Sequence, residues 1–168
     1  MPTNQIEYRG FIKSYDKLVN KLAAKVSIIP ISSADKTLQN MPVDLKVIWD
    51  TGASLTFIKP KVRDQLKLRI FGSETSIFVA GIGGKVKADL TTMSIALTDS
   101  FILECLPVYI VDFPINYDMV IGMNIISMGD FSVNNTDSKT SFSFIMPPLP
   151  DRLNYADIAD ELNNRKKG

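Results

Sequence analysis

The sequence predicts an all-β protein with a few short helices. Runs rich in β-branched and aromatic residues recur along the whole chain, and such residues favour strands. Glycine pairs and clusters of Asn, Asp, Ser and Pro separate these runs and predict turns. With 168 residues, of which 45% are apolar, the chain is long enough for one domain with a sizeable core.

The first half of the chain is predicted to hold four strands and one short helix. Pro30 favours a strand end or a sheet edge, and Pro60 suits the first turn of the helix. The predicted elements are the strands Ile6–Ile12, Leu22–Ile31, Val43–Trp49 and Leu55–Ile58, a loop at 32–42, and the helix Lys59–Leu66.

The second half opens with a predicted β-hairpin over residues 75–97, because a Gly-Gly pair between strand-like runs is a strong turn signal. Phe101–Val111 is either a strand pair or one long strand broken at Pro107. The apolar run Met119–Ile126 is mainly core and allows helical spacing only after Gly122. A second hairpin and a C-terminal helix follow. Their segments are Phe131–Val133, Phe142–Ile145, the proline-rich spacer 147–150, and the stripe Tyr155, Ile158, Ala159 and Leu162.

The charge balance argues against two classes of partner. Nineteen basic and 18 acidic residues are scattered along the chain and give a net charge of +1, which provides no electrostatic basis for binding nucleic acid or an anionic membrane. The N-terminus lacks the basic-then-apolar order of a signal peptide, and no apolar run approaches the roughly 20 residues of a membrane helix. A soluble, cytoplasmic protein is the expectation, and nothing implies a cofactor.

Histidine is absent and cysteine occurs once, which narrows the possible chemistry. Nucleophile activation by Ser-His-Asp or Cys-His groups requires an imidazole. Most zinc sites also use His or several Cys residues, so no metal site is predicted. Cys105 has apolar neighbours and is interpreted as an inert core residue. A hydrolase built from this sequence would therefore work with carboxylates.

The tripeptide Asp50-Thr51-Gly52 lies between two apolar runs. A carboxylate at the end of a buried strand is costly unless it is hydrogen-bonded or needed for function. Gly52 allows a tight turn and the close approach of another group. An ordinary turn between two strands is the alternative, since Asp-Thr/Ser-Gly arises by chance in roughly one chain in ten of this length. Trp49, just before the motif, is interpreted as a core anchor.

Three features follow one another in a fixed order, namely Asp50-Thr51-Gly52, the glycine-rich hairpin 81–84, and Val120-Ile121-Gly122-Met123-Asn124. In this order they resemble the retropepsin family, the single-domain aspartic proteases of retroviral type. Residues 49–53 and 121–131 are similar to the stand-alone bacterial and phage-type members. The resemblance covers about residues 17–147 and implies a closed β-barrel of the acid protease fold, with a short helix after Gly122.

The resemblance also implies an activity and an assembly. Members are endopeptidases in which two apposed aspartates share one proton and activate a water molecule. Because this chain has a single Asp-Thr/Ser-Gly, a homodimer would supply one Asp50 from each copy. Thr51 would bond across the two-fold axis, Gly52 would present its backbone to a peptide or protein substrate, and Ala53 would support the loop.

Two further segments receive roles from the same resemblance. The glycine-rich hairpin would be a flap that closes over the substrate, or it can equally be an ordinary surface hairpin. The segment around Gly122 would support the site, although the role of Asn124 can equally be purely structural. The flap residues are Gly81, Ile82, Gly83 and Gly84, and the supporting residues are Ile121, Gly122 and Asn124.

Two departures from the family leave other functions open. Many viral members carry Asp and Arg where this chain has Ser54 and Met123, so their ion pair beside the dimer interface is missing. An inactive dimerisation or peptide-binding module is therefore the alternative, and a structural protein with a coincidental motif is a third hypothesis. The protease domain is expected to span residues 1–147, with a linker and a helix at 148–168 whose apolar stripe packs on the barrel.

Overall fold

The computed structural model describes residues 6–72, 77–81, 84–151 and 153–165. Within these residues the chain forms ten strands and three helices. They are β1 (Arg9–Ser14), β2 (Leu22–Ile29), β3 (Val43–Trp49), β4 (Phe57–Ile58), α1 (Pro60–Leu66), β5 (Ile77–Gly81), β6 (Gly84–Thr98), β7 (Phe101–Ile110), β8 (Met119–Ile121), α2 (Met123–Ile126), β9 (Asp130–Thr136), β10 (Lys139–Met146) and α3 (Tyr155–Arg165).

Six strands close into a barrel. Their order is β2-β3-β8-β4-β7-β6, and β2 also pairs with β6, which completes the ring. Most pairs are antiparallel, whereas β3 runs parallel to β8 and β4 runs parallel to β7. β5 lies outside the ring and pairs only with β6 among the described strands. The predicted all-β fold with a closed barrel is confirmed.

The barrel interior follows from strand periodicity. Alternate residues of a strand point to opposite faces, and in β3 the residues Leu45, Val47 and Trp49 are buried while their neighbours are more exposed. Ile58 and Met119 are fully buried on neighbouring strands. Each fully buried side chain of this size contributes about 1.5–3 kcal/mol, so the alternation determines which face of each strand turns inward.

A three-stranded antiparallel sheet, in the order β1-β10-β9, packs beside the barrel. Its inner face meets Trp49, which is only 3% exposed. The indole ring stacks on Phe131 with 5.6 Å between the ring centroids and lies 5.4 Å from Phe144. Phe11 and Phe142 complete the aromatic cluster. Trp49 therefore anchors the second sheet to the barrel, as its interpretation as a core residue predicted.

The interpretation of Cys105 as a core residue is wrong, because its side chain is exposed. Leu103 pairs with Ile95 and Leu106 pairs with Met93, so β7 has one more residue than β6 in this interval. Cys105 occupies the resulting bulge with a φ of 52°. A bulge shifts the in–out alternation by one residue, which turns this thiol outward and keeps Leu106 inside.

The observed strand bounds differ from the predicted ones in detail. β1 begins at Arg9 instead of Ile6, β2 ends at Ile29 instead of Ile31, and β4 keeps only Phe57–Ile58 of its predicted run. Phe101–Ile110 is a single strand that continues through Pro107. Short segments with few pairing partners are the ones whose ends a local pattern predicts least well.

The expected packing of the C-terminal helix on the barrel is wrong. None of the residues of α3 is buried, and Tyr155 is 67% exposed. The preceding spacer contains Pro147, Pro148 and Pro150 and bends on its way to the helix, and its Leu149 N–H donates to Asp130 Oδ2 on β9 at 2.7 Å. Asn154 starts the helix by accepting the Ala156 N–H at 3.0 Å. Among the described residues, no helix has the length and apolar character needed to span a membrane.

Candidate active site

Asp50 lies where two parallel strands end together. It directly follows β3, and its N–H donates to the carbonyl oxygen of Ile121, the last residue of β8, at 2.9 Å. Because the two strands run in the same direction, their carboxyl ends meet at one edge of the barrel. The Asp50 side chain is exposed at that edge, so a reacting group from outside this chain can reach it.

The turn after Asp50 is shaped around its carboxylate. Gly52 donates its N–H to Asp50 Oδ1 at 2.9 Å, and the Ala53 N–H donates to the Asp50 carbonyl oxygen at 3.2 Å. A Cβ at position 52 would lie 3.1 Å from the same Oδ1, which is tighter than an ordinary contact. Thr51 is exposed beside it. Glycine at position 52 thus leaves room for the bond between backbone and carboxylate.

A buried hydroxyl group connects this turn to the segment after β8. Thr56 is fully buried, and its Oγ1 donates to Asn124 Oδ1 at 2.8 Å. The same Oγ1 accepts the Gly122 N–H at 3.1 Å. Sequence reasoning missed Thr56, although a lone hydroxyl inside an apolar run must find partners when it is buried.

Backbone bonds fix the same junction. The Met123 N–H donates to the Ala53 carbonyl oxygen at 2.7 Å, and the Asn124 N–H donates to that of Ser54 at 3.1 Å. α2 begins here, with Gly122 as its N-cap residue. A Cβ on Gly122 would collide with the Leu55 carbonyl group, so only glycine allows the two segments to approach this closely. The structure therefore brings Ile121, Gly122 and Asn124 next to the Asp50 turn.

Ser54 and Met123, the two positions at which the sequence differs from the viral-type motif, lie beside this junction. Ser54 is exposed, and Met123 is 36% exposed. Their segments are joined by the backbone bonds of Ala53 and Ser54 described above. Because Ser54 and Met123 are uncharged, their side chains form no ion pair. Backbone hydrogen bonds connect the Asp50 turn with α2 instead.

The glycine-rich hairpin is present as β5 and β6, whose terminal residues Gly81 and Gly84 face each other. Ile82 and Gly83, the predicted flap tip, lie outside the described residues. The register pairs Ile77 with Ala88 at the base of the hairpin. The hairpin leaves the barrel as an extension of β6, in the chain position that the sequence predicts.

Asp118 anchors the strand that ends beside Asp50. Burial tends to raise the pKa of its carboxyl group. A 2.7 Å ion pair with Lys61 and the Lys46 N–H, which donates to Oδ2 at 3.0 Å, outweigh this effect. The pKa of Asp118 therefore lies below its ordinary value. The nearby Lys59 charge acts in the same direction. The ionised carboxylate thus links β3, β8 and α1 behind the site. Across the described part of the chain, no group of three or more His, Cys, Asp or Glu could hold a metal ion.

The sequence matches one family model, and several solved structures are similar to the chain. A family model described as aspartyl protease matches residues 23–125. Similar solved structures include a retropepsin-like aspartic protease from Rickettsia conorii, with TM-score 0.48, 10% identity, and coverage of 85% of this chain and 98% of that chain. The EIAV protease complexed with the inhibitor HBY-793 has TM-score 0.48 and 21% identity, and covers 67% of this chain and 90% of its own.

A third structure is the retroviral protease-like domain of Ddi1 from Leishmania major, with TM-score 0.44, 14% identity, and coverage of 68% and 82% of the two chains. No curated protein matches the sequence significantly. The matched segment 23–125 spans more than half of the 168 residues and contains Asp50, the β5–β6 hairpin and Gly122. The chain therefore belongs to the aspartyl protease family.

Proposed function

We propose that this protein is an aspartic endopeptidase that is active as a homodimer. The observation that carries the proposal is the Asp50 turn, in which the carboxylate is exposed and accepts the Gly52 N–H at 2.9 Å. The turn is held from behind by the buried Thr56 and by backbone bonds to Met123 and Asn124. Such fixed geometry is what a catalytic carboxylate requires.

The dimer follows from the number of carboxylates that the reaction needs. The sequence has one Asp-Thr/Ser-Gly motif, and peptide hydrolysis by this route uses two apposed aspartates. A two-fold axis through the site would place a second Asp50 opposite the first. Two carboxylates at hydrogen-bond distance cannot both ionise, so the pair shares one proton, which is the established behaviour of aspartic protease dyads.

In the proposed reaction the ionised Asp50 takes a proton from water as the water oxygen attacks the peptide carbonyl carbon. The protonated Asp50 donates its proton to the carbonyl oxygen. As the tetrahedral diol collapses and the C–N bond breaks, one Asp50 gives its proton to the leaving amine and the other takes the proton of one diol hydroxyl, which restores the shared proton of the dyad. Thr51 would bond across the axis and orient the two carboxylates, and the Gly52 backbone would contact the substrate.

The substrate would lie between the two copies of the turn and the two hairpins. An extended peptide can add to exposed strand backbone and place alternate side chains in opposite pockets. The hairpin of Gly81, Ile82, Gly83 and Gly84 would close over the peptide and exclude water from the site. Extended peptides with apolar side chains beside the cut are the proposed substrate class.

Purified protein and its Asp50→Asn variant test the proposal on a library of extended peptides. We expect the variant to lose cleavage by about a thousandfold or more and the native protein to be inhibited by pepstatin-type compounds. Asp99→Asn, at an exposed turn between β6 and β7, is the matched control and should keep full activity. Cleavage by Asp50→Asn at the native rate would disprove the proposal.

The second candidate function is a non-catalytic module that dimerises or binds peptides. The uncharged, exposed Ser54 and Met123 beside the site favour it, because viral-type members carry an ion pair there.

The pH dependence of cleavage distinguishes the two functions. For the protease, a proton shared by the two Asp50 carboxyl groups predicts a bell-shaped rate profile with an acidic to mildly acidic optimum. A dimer that binds a peptide and leaves it intact from acidic to neutral pH would establish the second function instead.

A further inference from the structure

Helix α3 carries an apolar stripe that the described part of the chain leaves uncovered. Tyr155, Ile158 and Leu162 are spaced by three and four residues, which places them on one helix face, and their exposed fractions are 67%, 39% and 53%. Three acidic residues and a single basic one make this helix negative over its described length. The basic residue, Arg165, is already paired with Glu161 at 3.9 Å.

A cleft of about 620 Å³ lies between β1 and the edge of β2. β6 pairs with β2 only over Ser27–Ile29, so the preceding residues of β2 are not covered by β6. The hydroxyl group of Tyr15 donates to the Ala23 carbonyl oxygen at 2.7 Å and closes one end of the cleft. The cleft is open along its length and is large enough to receive side chains from a helix.

The chemistry of this cleft is opposite in charge to that of α3. Its apolar lining includes Ala24, Val26 and Leu97, and its charged lining residues are Lys13, Lys25 and Lys46, with no carboxylate among the residues that line it. The three lysines are exposed. When the stripe faces the floor of the cleft, Glu161 flanks it and is the carboxylate turned toward these lysines, because Asp157 and Asp160 lie on the opposite face of the helix. An apolar floor with a basic rim therefore matches an amphipathic helix that carries negative charge.

We infer that α3 of one protomer docks into this cleft on a second copy of the chain. The inference rests on the homodimer of the proposed function and names a contact that holds it together. The occupant is a second copy because α3 is exposed on every described residue in its own chain and leaves its own cleft open. Exchange of the two helices around a two-fold axis would bury both stripes and place Glu161 near the lysine rim.

Cysteine cross-linking in the full chain tests this contact. In a Cys105→Ser background, one protein carries Thr98→Cys at the cleft and a second carries Ala159→Cys on the helix stripe. When the two are mixed under oxidising conditions, we expect a disulfide-linked dimer. Asn164→Cys, on the opposite face of α3, is the matched control and should not cross-link to Thr98→Cys. A chain that carries both cysteines can also be oxidised at low concentration. If its disulfide forms within single chains, and the mixture of the two single variants does not cross-link, the proposed exchange between chains is wrong.

Sedimentation equilibrium gives a second, independent readout. Ile158→Asp and Leu162→Asp should each raise the dimer dissociation constant by about tenfold or more, whereas Asn164→Asp should leave it unchanged. Lys25→Glu should weaken the dimer, and adding Glu161→Lys should restore part of the loss. If the stripe variants dimerise and cleave peptides like the native protein, the helix contact is wrong and the proposed function stands. If the native protein is monomeric and inactive, the proposed function fails as well.

Discussion

Thr56 shows how one buried side chain determines the geometry of the site. Its hydroxyl donates to Asn124, 68 positions away, and accepts the N–H of Gly122, 66 positions away. Both bonds lie between the Asp50 turn and the start of α2, and Thr56 is fully buried. Because a buried polar group without a partner costs free energy, this hydroxyl couples the stability of the barrel to the position of Asp50.

Replacing Thr56 by valine should destabilise the protein by about 1–3 kcal/mol, since the Asn124 side chain and the Gly122 N–H each lose a buried partner. Peptide cleavage should fall as well, because the Asp50 turn loses its connection to α2. The free energy of unfolding from urea titrations checks the first effect. Thr56→Ser keeps the hydroxyl group and is the control, and equal stability of the valine and serine variants would contradict the prediction.

Asp118 makes stability depend on pH at the acidic end. Its pKa in the folded protein lies below the ordinary value of 3.8, so the ionised form is favoured by folding. The resulting stabilisation is present above that value and is lost as the pH falls through the lower pKa of the folded state. Because Lys61 is largely exposed, the contribution should be about 1 kcal/mol or less.

Asp118→Asn should therefore lower stability at neutral pH and remove this part of the acid dependence. Thermal unfolding from about pH 6 to about pH 2.5 measures it, and the difference between native protein and variant should shrink as the pH falls. Asp44→Asn, at an exposed position on β3, controls for a general charge effect. A difference that stays constant over this range would contradict the assignment.

The β9–β10 hairpin shows how turn chemistry acts on an element. Asp137 and Ser138 connect the strands and have φ values of 52° and 58°. Two central residues with positive φ define a type I′ turn, which suits the twist of a two-residue hairpin but is strained for most side chains. The sequence predicts this hairpin from its Asn, Thr, Asp and Ser cluster, yet those residues are not the best ones for the turn.

Changing Asp137 to asparagine and Ser138 to glycine should stabilise the protein by about 0.5–1 kcal/mol, because Asn-Gly adopts the type I′ turn with the least strain. Ser138→Val should have the opposite effect, since a β-branched residue is strongly disfavoured at positive φ. Urea denaturation of the three proteins gives the order of stability. A less stable Asn-Gly variant would show that the turn has another conformation.

The bulge in β7 determines which way the Cys105 side chain points. The apolar neighbours of Cys105 predict a buried side chain, and the inserted residue opposite β6 turns it outward. The Cys105 N–H donates to Ser94 Oγ at 3.2 Å, which satisfies the backbone where the ladder is interrupted. Nothing in the local sequence marks this position, because a bulge depends on how the neighbouring strand is aligned.

At the scale of the whole molecule, activity should depend on assembly. One chain offers one Asp-Thr/Ser-Gly motif, and the proposed reaction needs two. Specific activity should therefore fall on dilution as dimers dissociate. The β1-β10-β9 sheet and α3 lie outside the barrel and are available for contacts between copies without altering the Asp50 turn.

Mixing native protein with an equal amount of Asp50→Asn should reduce the native activity to about half, because random pairing of equal numbers of chains places half of the native subunits in mixed dimers. A tenfold excess of the variant should suppress it further. The rate of peptide cleavage after equilibration is the measurement. Asp99→Asn, added in the same amounts, should instead contribute its own activity. An unchanged native rate in the presence of Asp50→Asn would indicate that one chain forms a complete site.

The sequence alone determines the local features of this protein. The strand-like run between turn residues identifies β3 to the residue, Pro60 marks the start of α1, and the glycine-rich run predicts the β5–β6 hairpin. The Asp50-Thr51-Gly52 tripeptide identifies the candidate site. These predictions succeed because backbone propensity, periodicity and turn chemistry act over a few neighbouring residues.

Only the tertiary structure decides the features that depend on distant partners. Closure of the barrel by β2 and β6, the two bonds of Thr56, the outward turn of Cys105 and the uncovered stripe of α3 all require knowledge of what lies opposite each segment. A hydroxyl residue or an apolar stripe looks the same in the sequence whether the fold buries it or leaves it exposed. Packing and register between remote segments decide which of these occurs.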